Sequence, residues 1–317
     1  VVAMLGFGIY ALIIQQILTV LMTTVLMAWL TKWTPRLKFV VGSARELLPL
    51  GIQFTSANLI NSIYTEGRSL VIGKFYSSAD LAFFNRGNQF PALIVGNLNT
   101  PISNVMLPLM AEKKDSQNAL KSVLRKAMQL SAYLVFPMMG ILAACARPLV
   151  LVLLGQKWAE CVPYLQVACL FYLFQPLQSM NWQALKAAGQ GALCFKLEVI
   201  KKAISFIVLI MSIPFGVFAI SLSSAFCGFV SMLINMTPNK KVLGYGIFEQ
   251  LIDVLKPSIA TLFSVVIALL LIHISNGNLI SLIVAPLGSL GCYIVLSKLM
   301  NIEGFNLLMD KLSLRRN

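Results

Sequence analysis

The segment "SVVIALLLIHISNGNLISLIVAPLGSLGCYIVL", residues 264–296, contains two apolar runs separated by the polar residues HISNGN at 273–278. Runs of about 20 apolar residues have the length that an α-helix needs to cross about 30 Å of hydrocarbon. Because hydrocarbon offers no partner for a free backbone N–H or C=O group, such runs cross a bilayer as helices. The segment therefore predicts two transmembrane helices, 257–275 and 279–300, joined by a short turn.

Similar runs recur along the whole chain of 317 residues. The chain is 58% apolar and 11% charged, whereas a typical soluble domain is about 25% charged. Its mean hydropathy is +0.82. We therefore predict an all-α, polytopic transmembrane protein with about nine helices present. The other predicted spans are 9–30, 47–72, 82–110, 128–146, 162–186, 193–213 and 215–236.

The basic residues are not spread evenly along the chain. The net charge of +14 would suggest nucleic acid as a partner in a soluble protein, but here most Lys and Arg residues lie in connections between spans. Lys and Arg accumulate in cytoplasmic connections of membrane proteins. This pattern predicts no nucleic-acid partner, a cytoplasmic C-terminus, and short external turns at 212–216 and 273–278. The five basic connections are 32–45, 113–126, 186–202, 240–256 and 298–316.

Three predicted spans carry a polar stripe, the first of them containing "NSIYTEGRSLVIGKFY" at 61–76. A spanning helix with one polar face lines a water-filled cavity or packs that face on another helix. At 100° per residue, the stripes contain Gly51, Thr55, Asn58, Asn61, Ser62, Thr65, Glu66, Arg68 and Ser69; then Arg86, Gln89, Gly96, Asn97, Thr100 and Asn104; and, more weakly, Gln175, Gln178, Ser179, Gln183 and Lys186. The candidate binding residues are Arg68, Arg86, Glu66, Asn58, Asn61, Gln89, Asn97 and Lys186.

Two interpretations of Arg68 and Arg86 remain open. Both lie near the predicted external end of their helices, so they can extend to the outer headgroups. Alternatively they lie in a cavity and bind phosphate oxygens through paired, charge-assisted hydrogen bonds. Glu66 is predicted to pair with an arginine, the alternative being uptake of a coupling proton. Lys186 is predicted to be a cytoplasmic anchor rather than a cavity residue.

Motifs of enzymes are not recognisable in the sequence. It contains no nucleophile elbow, no phosphate-binding glycine loop and no HExxH motif, so we predict a transporter rather than an enzyme. Neither a cofactor nor a metal site is predicted. The six cysteines lie in or beside apolar runs without metal-ligand spacing, which predicts buried free thiols.

Several segments resemble, in order, the polysaccharide transporter family of bacterial flippases. That family lies within the multidrug/oligosaccharidyl-lipid/polysaccharide exporter superfamily, and the likeness is to members that handle O-antigen, capsule or exopolysaccharide repeat units. The segments are "FFNRGNQFPALIVGNL" (83–98), "MLPLMAEKKDS" (106–116), "NWQALKAAGQ" (181–190), "KLEVIKK" (196–202), "SIPFGVFAI" (212–220) and "NMTPNKK" (235–241).

The resemblance implies a fold of fourteen helices in two lobes around a central cavity, of which this chain is a fragment. On that template residues 1–46 are the last helix of the N-terminal lobe and its cytoplasmic connector. Residues 47–242 are the six-helix C-terminal lobe, and 243–317 are two additional transmembrane helices with a cytoplasmic tail. Arg68 and Arg86 then lie on the first two helices of the C-terminal lobe.

The resemblance also implies a function and a place in the cell. It implies a flippase of the bacterial inner membrane that translocates an undecaprenyl-diphosphate-linked oligosaccharide by alternating access, for synthesis of surface polysaccharide. The expected partners are this lipid-linked oligosaccharide, membrane lipids and the polysaccharide polymerase machinery. The alternatives are an exporter of the same architecture with other cargo, such as lipid II or organic cations, and a membrane enzyme of polysaccharide assembly.

Overall fold

The computed structural model describes residues 10–31, 42, 66–114, 116–275 and 277–314. All the regular secondary structure in these ranges is helical. The chain divides into two compact units, Val1–Asn61 and Ser62–Asn317. In the first unit, helix α1 (Tyr10–Thr31) exposes nearly every described apolar side chain from Ile13 to Leu30.

The second unit consists of twelve helices and short 3₁₀ segments within the described ranges. We label the helical residues 66–75 as α2. The others are α3 (Ser78–Glu112), α4 (Gln117–Ala144), α5 (Ala146–Leu153), α6 (Val162–Leu173), α7 (Gln175–Ala187), α8 (Gly191–Ser212), α9 (Val217–Met236), α10 (Asn239–Leu243), α11 (Ile247–Ile274), α12 (Asn278–Leu299) and α13 (Glu303–Leu314). The 3₁₀ segments are Gln156–Cys161 and Ile213–Phe215.

Three of the predicted spans need correction, and one of them is 257–275, because α11 already begins at Ile247 and contains Pro257 in its interior. The span 162–186 is two helices, because Pro176 lies in the first turn of α7 and its missing N–H begins a new helix after Phe174. Helix α4 begins at Gln117 rather than at 128. Ser116 is its N-cap, because the Ser116 hydroxyl accepts a hydrogen bond from the Ala119 N–H. Most of the span 47–72 lies outside the described residues.

Helix α3 is the element on which the second polar stripe lies. It starts with a capping box in which Ser77 and Asp80 bond each other's backbone N–H groups. It then runs for 35 residues, and none of the three prolines inside it, Pro91, Pro101 and Pro108, ends the helix.

Helix α4 occupies the centre of the second unit. It packs against α3, α6, α7, α11 and α13, and its side chains Leu124, Met128 and Met139 are completely buried. Close contact with α11 is possible because Gly140 has no side chain: a Cβ there would lie 2.8 Å from methyl groups of Thr261 and Val265. Small residues allow helices to approach closely where lipid gives no hydrophobic driving force.

Five helices in the described residues are long and apolar enough to cross a membrane: Ile13–Leu30, Gln117–Ala144, Val217–Leu243, Ile247–Ile274 and Asn278–Leu299. Helices α3, α7 and α8 interrupt their apolar residues with amides and charges. Exposed apolar side chains cover α8, α9, α11 and α12, for example Phe206, Phe226, Phe263 and Leu287. The chain is a multi-pass membrane protein.

Candidate functional site

A polar pocket lies between the beginning of α3 and the 3₁₀ segment Gln156–Cys161. Its volume is about 400 Å³, and its lining residues are Ala82, Asn85, Arg86, Gln89 and Trp158. We call it the Arg86 pocket. Its polar side chains come from one face of α3, and its aromatic wall comes from the connection between α5 and α6.

Two glycines allow this pocket to form. Gly87 packs directly on α6, since a Cβ at this position would lie 2.7 Å from the Tyr164 Cβ and 2.8 Å from the Leu165 nitrogen. Gly155 has a φ of 87°, a left-handed conformation that strains other residues. It turns the chain from α5 into the segment that carries Trp158, whose ring also meets Phe83 edge-on at 5.9 Å.

The Arg86 guanidinium is held without being neutralised. Its central carbon lies 5.0 Å from the centroid of the Trp158 ring, and its Nη1 donates a hydrogen bond to Gln89 Oε1 at 2.7 Å. Neither partner is an anion, and no carboxylate in the described residues forms an ion pair with Arg86. The guanidinium therefore keeps its full positive charge and spare N–H donors, a combination that binds phosphate or carboxylate.

Arg68 lies close to the same contact between helices. The Ser69 hydroxyl donates a hydrogen bond to Asn85 Oδ1 at 3.2 Å, which joins α2 to α3. Arg68 precedes Ser69 in the sequence, and Arg86 follows Asn85. Arg68 is half-buried, and its Nε is shielded from solvent without a hydrogen-bond partner. A buried donor of this kind is costly unless something satisfies it.

The other predicted residues divide into three groups. Gln89 and Asn97 are exposed on the Arg86 face of α3. Glu66 is exposed, and the ion pair that we predicted for it with an arginine is not found among the residues described here. Asn58 and Asn61 lie outside the described residues.

Lys186 is separate from the Arg86 pocket. It lies in the last turn of α7, with its ammonium group 5.6 Å from the centroid of the Trp182 ring. The rest of its predicted stripe is partly used in helix packing: Gln178 donates to the Gly228 carbonyl at 3.0 Å, and Ser179 donates to Asn99 Oδ1 at 3.0 Å. The structure therefore brings together Arg86 and Gln89, whereas Arg68 does not line the pocket and Lys186 lies elsewhere.

The sequence analysis missed three lining residues of the pocket, Ala82, Asn85 and Trp158, of which Trp158 contacts the Arg86 guanidinium. The available signal was a lone aromatic residue within the polar segment GQKWAE at 155–160, beside the span of Arg86. The cysteine prediction is confirmed for five residues, which are buried free thiols, whereas Cys292 is half-buried. Burial raises the pKa of Cys161. No cluster of possible metal ligands occurs among the described residues.

The family match decides what kind of protein carries this pocket. The family described as "Polysaccharide biosynthesis protein" matches residues 1–163, which include α3 and Trp158. The chain belongs to this family. The resemblance to polysaccharide flippases that the sequence segments suggested is thereby confirmed.

Curated relatives are similar over about half of this chain. The teichuronic acid biosynthesis protein TuaB of Bacillus subtilis is 23% identical over 52% of the chain. The succinoglycan biosynthesis transport protein ExoT of Rhizobium meliloti is 25% identical over 61%, and the lipopolysaccharide biosynthesis protein WzxC of Escherichia coli is 24% identical over 53%. The matches span 34%, 39% and 34% of those relatives, respectively.

Among solved structures, the fold is similar to the lipid II flippase MurJ in its inward closed conformation. The TM-score is 0.68, with 14% sequence identity, over 84% of this chain and 56% of that one. This likeness confirms the predicted all-α flippase fold of this family member.

Proposed function

We propose that this family member is a flippase that moves an undecaprenyl-diphosphate-linked oligosaccharide across the bacterial inner membrane by alternating access. The observation that carries the proposal is the uncompensated Arg86 guanidinium, which lines a pocket together with the polar side chains of Asn85 and Gln89. A diphosphate is costly to move through hydrocarbon, and a cationic pocket with amide neighbours lowers that cost.

On this proposal six of the predicted residues bind the cargo. Arg86 and Arg68 bind the diphosphate, and the amides of Gln89, Asn97, Asn58 and Asn61 bind sugar hydroxyls. The lipid tail stays in the bilayer. Glu66 is exposed beside Arg68, and no arginine pairs with it among the described residues.

The proposed arrangement in the membrane follows from charge and helix direction. The Lys-rich connections and the C-terminus face the cytoplasm, so α3 begins on the external side and the Arg86 pocket opens there. Residues 1–46 belong to the N-terminal lobe, 47–242 form the C-terminal lobe, and 243–317 add the last two transmembrane helices and the tail. The proposed partners are the lipid-linked oligosaccharide and the polymerase machinery.

The experiment replaces Arg86 by Gln in the full-length protein and measures delivery of the lipid-linked repeat unit to the outer face of the membrane. Gln keeps hydrogen-bonding capacity but removes the charge, so we expect delivery to fall by at least tenfold, as loss of a charge-assisted contact predicts. Arg147→Gln is the matched control, because Arg147 is exposed in the connected α5 helix and does not line the pocket.

Three outcomes separate the proposal from its alternatives. Normal delivery by Arg86→Gln protein, at normal abundance in the membrane, excludes the diphosphate-binding role. If the Arg86→Gln variant delivers the oligosaccharide normally but delivers lipid II poorly, the protein is a transporter of lipid II. Normal delivery followed by failure to elongate the repeat unit identifies an enzyme of polysaccharide assembly.

A further inference from the structure

A second basic cluster lies at the opposite end of the helices from the Arg86 pocket. Lys186 of α7 and Lys201 of α8 both lie over the ring of Trp182, with their ammonium groups 5.6 and 4.6 Å from its centroid. Lys202 lies beside them, and Lys201 and Lys202 share the carboxylate of Glu198, at 2.8 Å from Lys201 and 4.0 Å from Lys202. We call these residues the Trp182 cluster.

The charges of the Trp182 cluster do not balance. Lys186 and Lys201 bring two ammonium groups to one carboxylate, that of Glu198, and within the described part of the chain Lys186 has no acidic partner. The side chain of Lys201 is only 12% exposed, so water screens its charge poorly. A net positive charge in this setting is stabilised by an added anion.

The position of the cluster along α8 indicates that the anion comes from the membrane. Lys201 lies ten residues after the start of α8 at Gly191, about 15 Å along the helix axis. Side chains on a helix point back toward its N-terminus, so the long lysine stems extend to the headgroup level. The neighbouring side chains Phe195, Val199 and Phe206 are exposed apolar groups, as contact with lipid requires, and tryptophan is enriched at membrane–water interfaces.

A separate apolar groove lies farther along α8, between α6, α8 and α9. Its volume is about 540 Å³, and Leu170, Phe174, Val208, Leu222, Phe226 and Phe229 line it. Val208 is seven residues after Lys201, so it lies on the same face of α8 about 10 Å farther along the axis. Ser223 also lines the groove, but its hydroxyl donates to the Ile220 carbonyl and offers a ligand little.

We propose that the Trp182 cluster and this groove form a binding site for an anionic phospholipid of the Lys-rich, predicted cytoplasmic leaflet. Lys186 and Lys201 bind the phosphodiester, Trp182 packs against the glycerol region, and one acyl chain lies in the groove beside Val208. The site differs from the Arg86 pocket in position and ligand, and it does not depend on which cargo the protein transports.

The test compares lipids on the purified full-length protein in neutral detergent. Phosphatidylglycerol, phosphatidylcholine with the same acyl chains, and inorganic phosphate are added separately, and bound lipid is counted by native mass spectrometry beside the shift in melting temperature. We expect phosphatidylglycerol to bind roughly tenfold more tightly than phosphatidylcholine, because each lysine near the headgroups favours an anionic lipid. Inorganic phosphate is expected to leave the melting temperature unchanged.

Variants locate the site. Lys186→Gln with Lys201→Gln is expected to remove the preference for phosphatidylglycerol, whereas the charge-matched control, Lys240→Gln with Lys241→Gln, keeps it, because those two lysines are exposed on the same side outside the cluster. If the first double variant folds poorly, Lys186→Gln alone, at an exposed position, is expected to weaken the preference severalfold.

The groove is tested by Leu222→Trp, which fills it. This variant is expected to weaken binding of long-chain phosphatidylglycerol and to leave the dihexanoyl form unaffected. An unchanged preference for phosphatidylglycerol in the variants that lack Lys186 overturns the site. Stabilisation by inorganic phosphate equal to that by phosphatidylglycerol overturns its assignment to a lipid.

Discussion

Arg86 shows how a membrane protein can hold a cation without cancelling its charge. A carboxylate partner would lower the cost of burial and would also occupy the site where an anionic ligand binds. The Trp158 ring and the Gln89 amide instead position the guanidinium while leaving its charge intact. The Trp158 ring therefore supports the proposed binding role directly.

Replacement of Trp158 by Leu is expected to raise the half-saturating concentration for transport of the lipid-linked oligosaccharide by about two- to fivefold. The reason is the loss of a cation–π contact of roughly 0.5–1 kcal/mol, which positions Arg86. This half-saturating concentration is obtained by measuring transport into reconstituted vesicles at several substrate concentrations. Trp158→Phe keeps an aromatic ring, so its half-saturating concentration is expected to rise less than that of Trp158→Leu. An equal rise in both variants would argue against the cation–π contact.

Helix α3 depends on its contact with α6. Because a Cβ on Gly87 would overlap Tyr164 and Leu165 backbone and Cβ atoms, the helices must separate to admit any side chain, and Arg86 would move away from Trp158. Gly96 lies on the same helix with no atom within 4 Å of an added Cβ. The two glycines therefore form a matched pair.

Gly87→Ala is expected to destabilise the protein by about 1–3 kcal/mol through overpacking and to reduce transport. Gly96→Ala is expected to leave stability unchanged or slightly improved, since alanine favours a helix over glycine. Thermal unfolding of both variants in the same detergent measures the difference. Equal melting temperatures would show that α3 and α6 can move apart at no cost.

The connection between α4 and α11 rests on Asp253, whose side chain is 5% exposed. Arg125 forms an ion pair with it at 2.5 Å, and the Tyr245 hydroxyl donates to its other oxygen at 2.5 Å. Burial, and then the hydrogen bond to Asp253, raise the pKa of Tyr245. The contribution of this phenol to stability is therefore fully present below the unfolded pKa of about 10 and is lost only as pH rises through the higher folded pKa.

Tyr245→Phe is expected to cost about 1.5–3 kcal/mol, the range for a hydrogen bond to a charged group. Melting temperatures measured between pH 6 and pH 9 should differ from wild type by a constant amount, because Tyr245 stays protonated across that interval. The comparison variant is Glu249→Gln, which removes the exposed ion pair to Lys121 and is expected to cost under about 1 kcal/mol. A larger loss of stability in Glu249→Gln than in Tyr245→Phe would contradict the greater contribution expected of the Tyr245–Asp253 hydrogen bond.

Two exposed faces of the second unit differ in polarity: one is suited to contact with water and the other to contact with lipid. The Arg86 face of α3 exposes Asn97 and Thr100, whereas α8 exposes Phe206 and Ile210. The proposed flippase requires the first face to line a water-filled cavity and the second to contact lipid, although both are open in the structure.

Single cysteines at Asn97 and Thr100 are expected to react with a membrane-impermeant maleimide in cells or vesicles, because only water-exposed thiols ionise and meet the reagent. Cysteines at Phe206 and Ile210 are expected to stay unlabelled. Mass spectrometry of labelled protein gives the yield at each site, and the native cysteines contribute little background because five of them are buried. Labelling of α8 with protection of α3 would exclude the proposed cavity.

Local physical chemistry made much of the molecule predictable. Apolar length and the need to satisfy the backbone identify the spans, and helical periodicity places Arg86, Gln89 and Asn97 on one face of α3, where the structure has them. The roles of Asn58 and Asn61 stay predictions. These features depend on neighbours within a few residues, which is why the amino-acid order suffices.

Contacts between distant segments were not predictable in the same way. The contact of the Trp158 ring with Arg86 depends on which helices pack together. The same holds for Lys186 and Lys201, which meet over Trp182 because α7 and α8 are adjacent. Hydrophobic burial is non-directional, so an apolar sequence specifies that helices pack, while shape at close contacts such as Gly87 selects the partners.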